Sequence, residues 1–317
     1  MPHRVSGAEF ARLTSLYRYG VLGGARDPAI DETLRALASR LDAPVAQLVL
    51  ADARQFWVTS AVGAGDRMFL RDRGLLDDLV TGGPAFLAAV DPSEALPPMP
   101  LPLRSFAGLR LVGADDEALG VLYVADPHAR DFGPEAAEVL ADAASAIRAV
   151  LDSARRARED DGTGAIKHEA FLDQAARLIE VSRIGRQWVS LVTLDLKPFC
   201  MALDAKAAGL SSLAMRHMAE LGRTQVRKRD SFGRLDNMSF AILLTDTGEA
   251  GAHVLAQRLS RHLERNWTDA GLDTSGLHLG IASMKPSAAA DTVDILVARS
   301  RANRAGPPAV GPATRVA

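Results

Sequence analysis

Two periods of apolar residues run through the chain. Residues 8–22, "AEFARLTSLYRYGVL", read as a helix that ends at Gly20 or soon after. In "PAIDETLRALASRL" the apolar positions Ile30, Leu34, Leu37 and Leu41 share one helical face. The pattern then shortens. "PVAQLVLAD" and "QFWVTSAV" read as strands joined by the turn "ADAR", and "FAGLRLVG", "DDEA" and "LGVLYVAD" as a hairpin. Between them "LPPMPLP" continues neither regular structure, because proline lacks an N–H and fixes φ. A long helix follows from Gly133–Pro134. Its residues Leu140, Ala144, Ile147, Leu151 and Ala154 are spaced four, three, four, three. That spacing is a heptad seam, open to two readings: a parallel helix pair in a homodimer, or an amphipathic helix packed on its own domain.

From Asp160 the alternation of helix and strand resumes. "DDGTGAIKHEAFLDQAARLI" leads into a helix, "WVSLVTLDLKPF" into a strand, and "GLSSLAMRHMAELGRTQVRKRD" into a long helix. "FGRLDNMSFAILLTD" has the shape of a strand, a tight turn and a second strand. "AGAHVLAQRLSRHLER" is helical and "LHLGIASM" a late strand. The chain thus reads as α/β (α+β): an antiparallel sheet with flanking helices over 8–152, a connecting helix over 135–160, a second central sheet surrounded by helices over 160–306, and a flexible tail over 307–317.

Length and composition fit this division. At 317 residues the chain exceeds a single ordinary core. Hydrophobic content of 48% and charged content of 24% are those of a soluble globular protein. A net charge of −2 offers no field for nucleic acid or an anionic membrane. The basic run "SARRAR" reads as a solvated helix face, and no helix-turn-helix pattern accompanies it. The single cysteine, Cys200, excludes an internal disulfide and fits a reducing compartment. No signal peptide and no membrane-length apolar run is present, so the expected location is cytoplasmic. The scattered histidines have no metal-site spacing, so no structural metal is expected.

The first half, on "RLTSLYRYGVL", "APVAQLVLAD", "RQFWVTS" and "FAGLRLVG…ALGVLYVADPHARDFGPEAAEVLADAA", resembles a GAF domain. Such a domain implies a sensory or dimerising module, with or without a small ligand. The second half resembles a GGDEF (diguanylate cyclase) domain, on Thr163, Gly164, Phe171, Leu172, the strand ending at Asp195, and the hairpin. That resemblance implies two GTP molecules joined with the help of Mg²⁺, a hard cation that wants oxygen ligands. At the signature positions this sequence has Asp236, Asn237, Met238 and Ser239. Met238 replaces an acidic metal ligand, and a thioether is a soft partner. Asp236 and Asn237 replace glycines that allow close backbone approach. The family's phosphate and guanine contacts correspond to Cys200, Leu203, Ser212 and Asn303, and its Asn-Arg pair to Lys167 and His168. Asp195 alone keeps the family's residue. The resemblance therefore implies a degenerate enzyme with no catalytic residues and no cofactor.

One family feature survives. Arg227-Lys228-Arg229-Asp230 ends with five residues between it and Asp236, at the offset of the family's Arg-x-x-Asp site for cyclic di-GMP. There Arg227 would grip a phosphate or a guanine edge, and Asp230 would accept from guanine N1–H and N2–H₂. Arg229 adds charge, and Arg258 falls where the family completes the site from the next helix, with Arg261 as substitute. The other reading of the same residues is a solvated basic helix end favoured by the dipole. A GAF domain before a degenerate GGDEF domain resembles the PelD-type cyclic di-GMP receptors, without their membrane helices. The expectation is a cyclic di-GMP receptor regulating a protein partner; the alternative is a nucleotide-independent dimeric scaffold, a pseudoenzyme.

Overall fold

The computed structural model describes residues 4–63, 68–71, 74–90, 103–269 and 276–304. The expected proline-rich loop and flexible tail lie outside these residues. The chain divides into two compact units, Ser15–Ala157 and a second one that joins Met1–Thr14 to Arg158–Ala317.

The first unit is built on one antiparallel sheet. Its strands are β1 (Val45–Ala51), β2 (Gln55–Val62), β3 (Met68–Leu70), β4 (Phe86–Val90), β5 (Ser105–Val112) and β6 (Ala118–Asp126). They lie in the order β3-β2-β1-β6-β5-β4. Every residue of β1 is buried, as a central strand covered on both faces must be. Helix α1 (Gly7–Tyr19) stops at Gly20, whose φ of 67° is left-handed and costs glycine little. Helix α2 (Pro28–Arg40) starts on Asp27, whose carboxylate accepts the Ala29 N–H at 2.9 Å, with Pro28 as first helical residue. It buries Ile30, Leu34 and Leu37 as its periodicity predicts. Helix α3 (Leu75–Thr81) adds Leu76, Leu79 and Val80 to a core with Phe56, Phe106 and Tyr123.

Helix α4 (Glu135–Ala157) carries the heptad seam. Leu140, Ile147 and Leu151 are buried inside the unit, with Ala136 and Ala143. They face α2 and β5. The leucine and isoleucine positions of the stripe are buried within one chain, as in the reading of an amphipathic helix packed on its own domain. Ala144 and Ala154 are only half-buried.

The second unit holds a four-stranded antiparallel sheet in the order β10-β7-β9-β8. Its elements are α5 (His168–Ile184), β7 (Val189–Asp195), α6 (Lys197–Lys206), α7 (Leu210–Gln225), β8 (Ser231–Asp236), β9 (Ser239–Thr245), α8 (Glu249–Asp269), β10 (His278–Met284) and α9 (Val293–Ala302). Its core gathers Val192, Leu194, Phe240, Ile242 and Leu244 from the sheet with Met218, Leu259 and Trp267 from the helices. Each such side chain contributes about 1.5–3 kcal/mol on leaving water. The first turns of α1 belong to this unit and not to the 8–152 domain. Their anchors are polar: Gln174 Nε2 donates to the Thr14 carbonyl at 2.7 Å, and Thr14 Oγ1 to the Arg229 carbonyl at 3.0 Å.

Among the described residues no helix is long and apolar enough to cross a membrane.

Candidate functional site

Helix α7 ends at Gln225, and the next four residues turn sharply into β8. The turn is closed by the Asp230 N–H donating to the Arg227 carbonyl at 2.9 Å. The Asp230 carboxylate fixes it from both sides. Oδ2 accepts the Arg227 N–H at 3.3 Å, and Oδ1 accepts the Thr245 N–H of β9 at 3.1 Å. Asp230 is only 3% exposed. Burial raises its pKa above the usual carboxylate range, against the lowering pull of the Thr245 and Arg227 N–H groups and of Arg229 and Arg227.

This turn forms one wall of a cavity of about 400 Å³, within the range of small-molecule sites. Arg227 and Asp230 line it from the turn, and Arg258 from α8. Arg258 is held in place: its Nη2 donates at 2.7 Å to the Gln225 carbonyl, one of the carbonyls a helix C-terminus leaves without an internal donor. Arg227 is exposed and makes no ion pair among the described residues. Thr247, Gly248 and Gly251 supply a floor of small residues, and Leu244, Val254 and Leu255 an apolar side. Three of the five residues expected here therefore converge. Arg229 does not: its guanidinium lies against Gly7 of α1, its Nη1 3.2 Å from where a Cβ would stand. Arg261 does not either; it is exposed, with Nε donating to the Gln257 carbonyl of its own helix at 3.3 Å.

At the other end of the β8–β9 hairpin, Asp236 pairs with Ser239 across a two-residue turn. Among the described non-glycine residues of positive φ, none lies in this turn. Side chains hold it. Asp236 Oδ1 accepts the Met238 N–H at 2.9 Å, and Arg234 donates to the Asp236 and Asn237 carbonyls at 3.3 and 2.6 Å. The adjoining cleft, about 770 Å³, is lined by the hairpin turn, Asp195, Lys197, His168 and two arginines the sequence reading passed over, Arg301 and Arg304. Arg304 Nη1 lies 2.7 Å from Asp195 Oδ2, and Arg301 Nη2 lies 3.0 Å from Asp236 Oδ2. Burial pushes the Asp236 pKa up, but the Ser239 hydroxyl, the Met238 N–H and the Arg301 charge outweigh it, and the net displacement is downward.

This donor set does not fit a magnesium ion. Asp195 Oδ1 accepts the Lys197 N–H at 3.0 Å while Oδ2 is held by Arg304. Met238 packs against the core. Cys200 and Leu203 are buried core residues of α6 that offer nothing to a ligand. Burial, with Asp204 and Asp195 nearby, pushes the Cys200 thiol up to about 11, so it stays protonated. Asn303 Nδ2 donates to the Ile281 carbonyl at 3.2 Å, and Ser212 is exposed on α7. Among the described residues no three His, Cys, Asp or Glu side chains converge as metal ligands do.

No curated protein matches the chain in sequence. The chain is similar to the GGDEF domain of DgcB from Caulobacter crescentus, solved in complex with c-di-GMP, at 15% identity and a TM-score of 0.41, covering 46% of this chain and 86% of that one. It is similar to the FimX GGDEF domain from Pseudomonas aeruginosa at 20% identity and a TM-score of 0.39, covering 46% and 90%. It is also similar to the GAF domain of an Acinetobacter phosphoenolpyruvate-protein phosphotransferase, at 16% identity and a TM-score of 0.37, covering 47% and 96%. The family model of the diguanylate cyclase GGDEF domain matches residues 157–305, and that part of the chain is a GGDEF domain.

Proposed function

We propose that this protein is a cyclic di-GMP receptor without cyclase activity, which binds the dinucleotide at Arg227, Asp230 and Arg258 and acts on a protein partner. The observation that carries this reading is the contrast between the two ends of one hairpin. At the turn, both carboxylates are already engaged by Arg301 and Arg304. At the open end, Arg227 and Arg258 flank a cavity with their guanidinium charges available to an anion. A guanidinium meets a phosphate or the O6/N7 edge of guanine through two parallel N–H donors. The chemistry offered is thus recognition of a guanine nucleotide without metal.

Isothermal titration of the purified chain with cyclic di-GMP tests the receptor. Saturable binding supports it, and no heat at high ligand concentration sinks it. Incubation with GTP and Mg²⁺ tests the rest, with no cyclic di-GMP expected. A Met238→Glu, Ser239→Glu chain stays inactive too, because Cys200, Leu203 and the Arg304–Asp195 pair remain.

Binding should also depend on acidity. The folded pKa of Asp230 stands above its unfolded value. The ionised form therefore costs stability above the folded pKa, and that cost fades as pH falls toward the unfolded pKa. The ionised carboxylate accepts from guanine N–H groups on both oxygens and more strongly than the neutral acid, which turns one oxygen into a donor. Affinity therefore weakens as acidification carries Asp230 through its raised pKa, a fall that begins above the ordinary carboxylate range. Titrations from neutral to mildly acidic pH check this; an affinity flat across that interval contradicts it.

A further inference from the structure

Two partly exposed side chains, Arg4 and Trp188, touch residues that line the cavity beside Arg227. Asp246, on its rim, has a positive φ of 47° and receives Arg4 Nη2 at 2.6 Å on its carboxylate. The Arg4 side chain is 73% exposed, so most of its N–H groups remain open to solvent or ligand. The segment that carries Arg4 is pinned by a two-way bond: the Val5 N–H donates to Gln187 Oε1 at 2.9 Å, and Gln187 Nε2 donates back to the Val5 carbonyl at 3.1 Å. The next residue, Trp188, accepts the Thr247 N–H on its carbonyl at 3.2 Å. Two carbons of its indole stand 3.7 and 3.8 Å from where a Cβ on Gly248 would be. Gly248 itself lines the cavity. Trp188 nevertheless leaves 47% of its surface in water.

We propose that Trp188 and Arg4 form an outer half-site of this cavity, which takes the second purine base and second phosphate of the same ligand. The inference rests on the receptor reading above. A cyclic dinucleotide has two identical halves tied in one ring. With one guanine and one phosphate on Arg227, Asp230 and Arg258, the other half lies beyond the inner cavity, on the side where the ring of the ligand emerges. Gly248, without a Cβ, lets the indole pack close beside the cavity, and the half of Trp188 left in water offers that base an aromatic surface. Base–aromatic stacking of this kind contributes to affinity whichever base is presented. Arg4 balances Asp246, whose bare carboxylate would repel the second phosphate, and adds a third guanidinium to those of Arg227 and Arg258.

The test is titration of the full chain with cyclic di-GMP, read by heat and by tryptophan fluorescence. Trp188→Ala weakens binding by about 10-fold and removes the ligand-induced fluorescence change, Trp188→Phe restores most of the affinity, and Arg4→Ala weakens binding by a smaller factor. Trp188 and Arg4 are partly exposed, and unchanged melting curves show the variants to be folded. Wild-type affinity in Trp188→Ala overturns the half-site, as does wild-type affinity in Arg4→Ala for the part assigned to Arg4. Absence of binding by the unmodified chain is a different result: it removes the receptor reading and this inference with it.

Discussion

Arg227→Ala weakens cyclic di-GMP binding by roughly 30-fold or more, the loss that follows when one partner of a charge-assisted pair is truncated. The magnitude comes from what the side chain offers. Arg227 is exposed and makes no ion pair within contact distance among the described residues, so its guanidinium keeps its donors for a ligand. Its backbone N–H, not its side chain, holds the turn to Asp230. The variant therefore keeps its fold, and its melting curve superimposes on that of the wild type. Arg227→Lys recovers only part of the affinity, since an ammonium supplies a point charge without the planar fork. Asp230→Ala behaves differently. It removes a buried acceptor from two N–H groups, at about 1–3 kcal/mol for each donor left unsatisfied, and so lowers stability and affinity together. Titration calorimetry beside thermal melts separates the two. Arg227→Ala binding like the wild type would remove the central contact of the site.

Phe240→Ala destabilises the second unit by about 3–5 kcal/mol, the range for deleting a large buried aromatic. Phe240 is fully buried on β9. Its ring stacks on Phe232 of β8 at 5.3 Å, and the Arg234 guanidinium lies 5.5 Å above it. Removing the ring loses transfer free energy and opens a cavity between two strands that cannot close without shifting the hairpin. Since a domain holds only about 5–15 kcal/mol in total, this one change takes a large share. Urea unfolding followed by circular dichroism should show an early transition for the second unit and an unchanged one for Ser15–Ala157. A displacement below about 1 kcal/mol would mean that the Phe240 site collapses freely, contrary to its packing.

How much of this could be read from the sequence depended on the kind of signal. The strands β1, β2, β5 and β6 and the β8–β9 hairpin were legible because alternation and β-branched residues mark half- or fully buried strands. The short elements β3, α3 and β4 were not, because runs of three to seven residues carry little periodicity. The seam on α4 gave spacing but not its partner; that α2 and β5 cover it is a tertiary fact. Among the expected site residues, Arg227 and Asp230 from the turn after α7 and Arg258 from within α8 line one cavity, because the backbone of a turn and of a helix follows from their sequence offsets. The offsets could not say where a side chain points. Arg229 turns to α1, and Arg261 stays on the outer face of α8. At the end of α9 the reading stopped at Asn303, while its neighbours Arg301 and Arg304 reach the carboxylates. Arg4 and Gln187, in aperiodic segments, left no trace in the pattern at all.

The β8–β9 hairpin has a further consequence. Its turn, at Asp236–Ser239, and its open end, at Asp230 and Thr245, are separated by the length of β8, roughly 17 Å for six residues. Substitutions that far apart add independently. A lineage can therefore lose one end of the ribbon to drift while selection still acts on the other. On the proposed reading, chemistry and sensing are separable traits on a single pair of strands, and a signalling network can acquire a listener from a synthase without building a new fold.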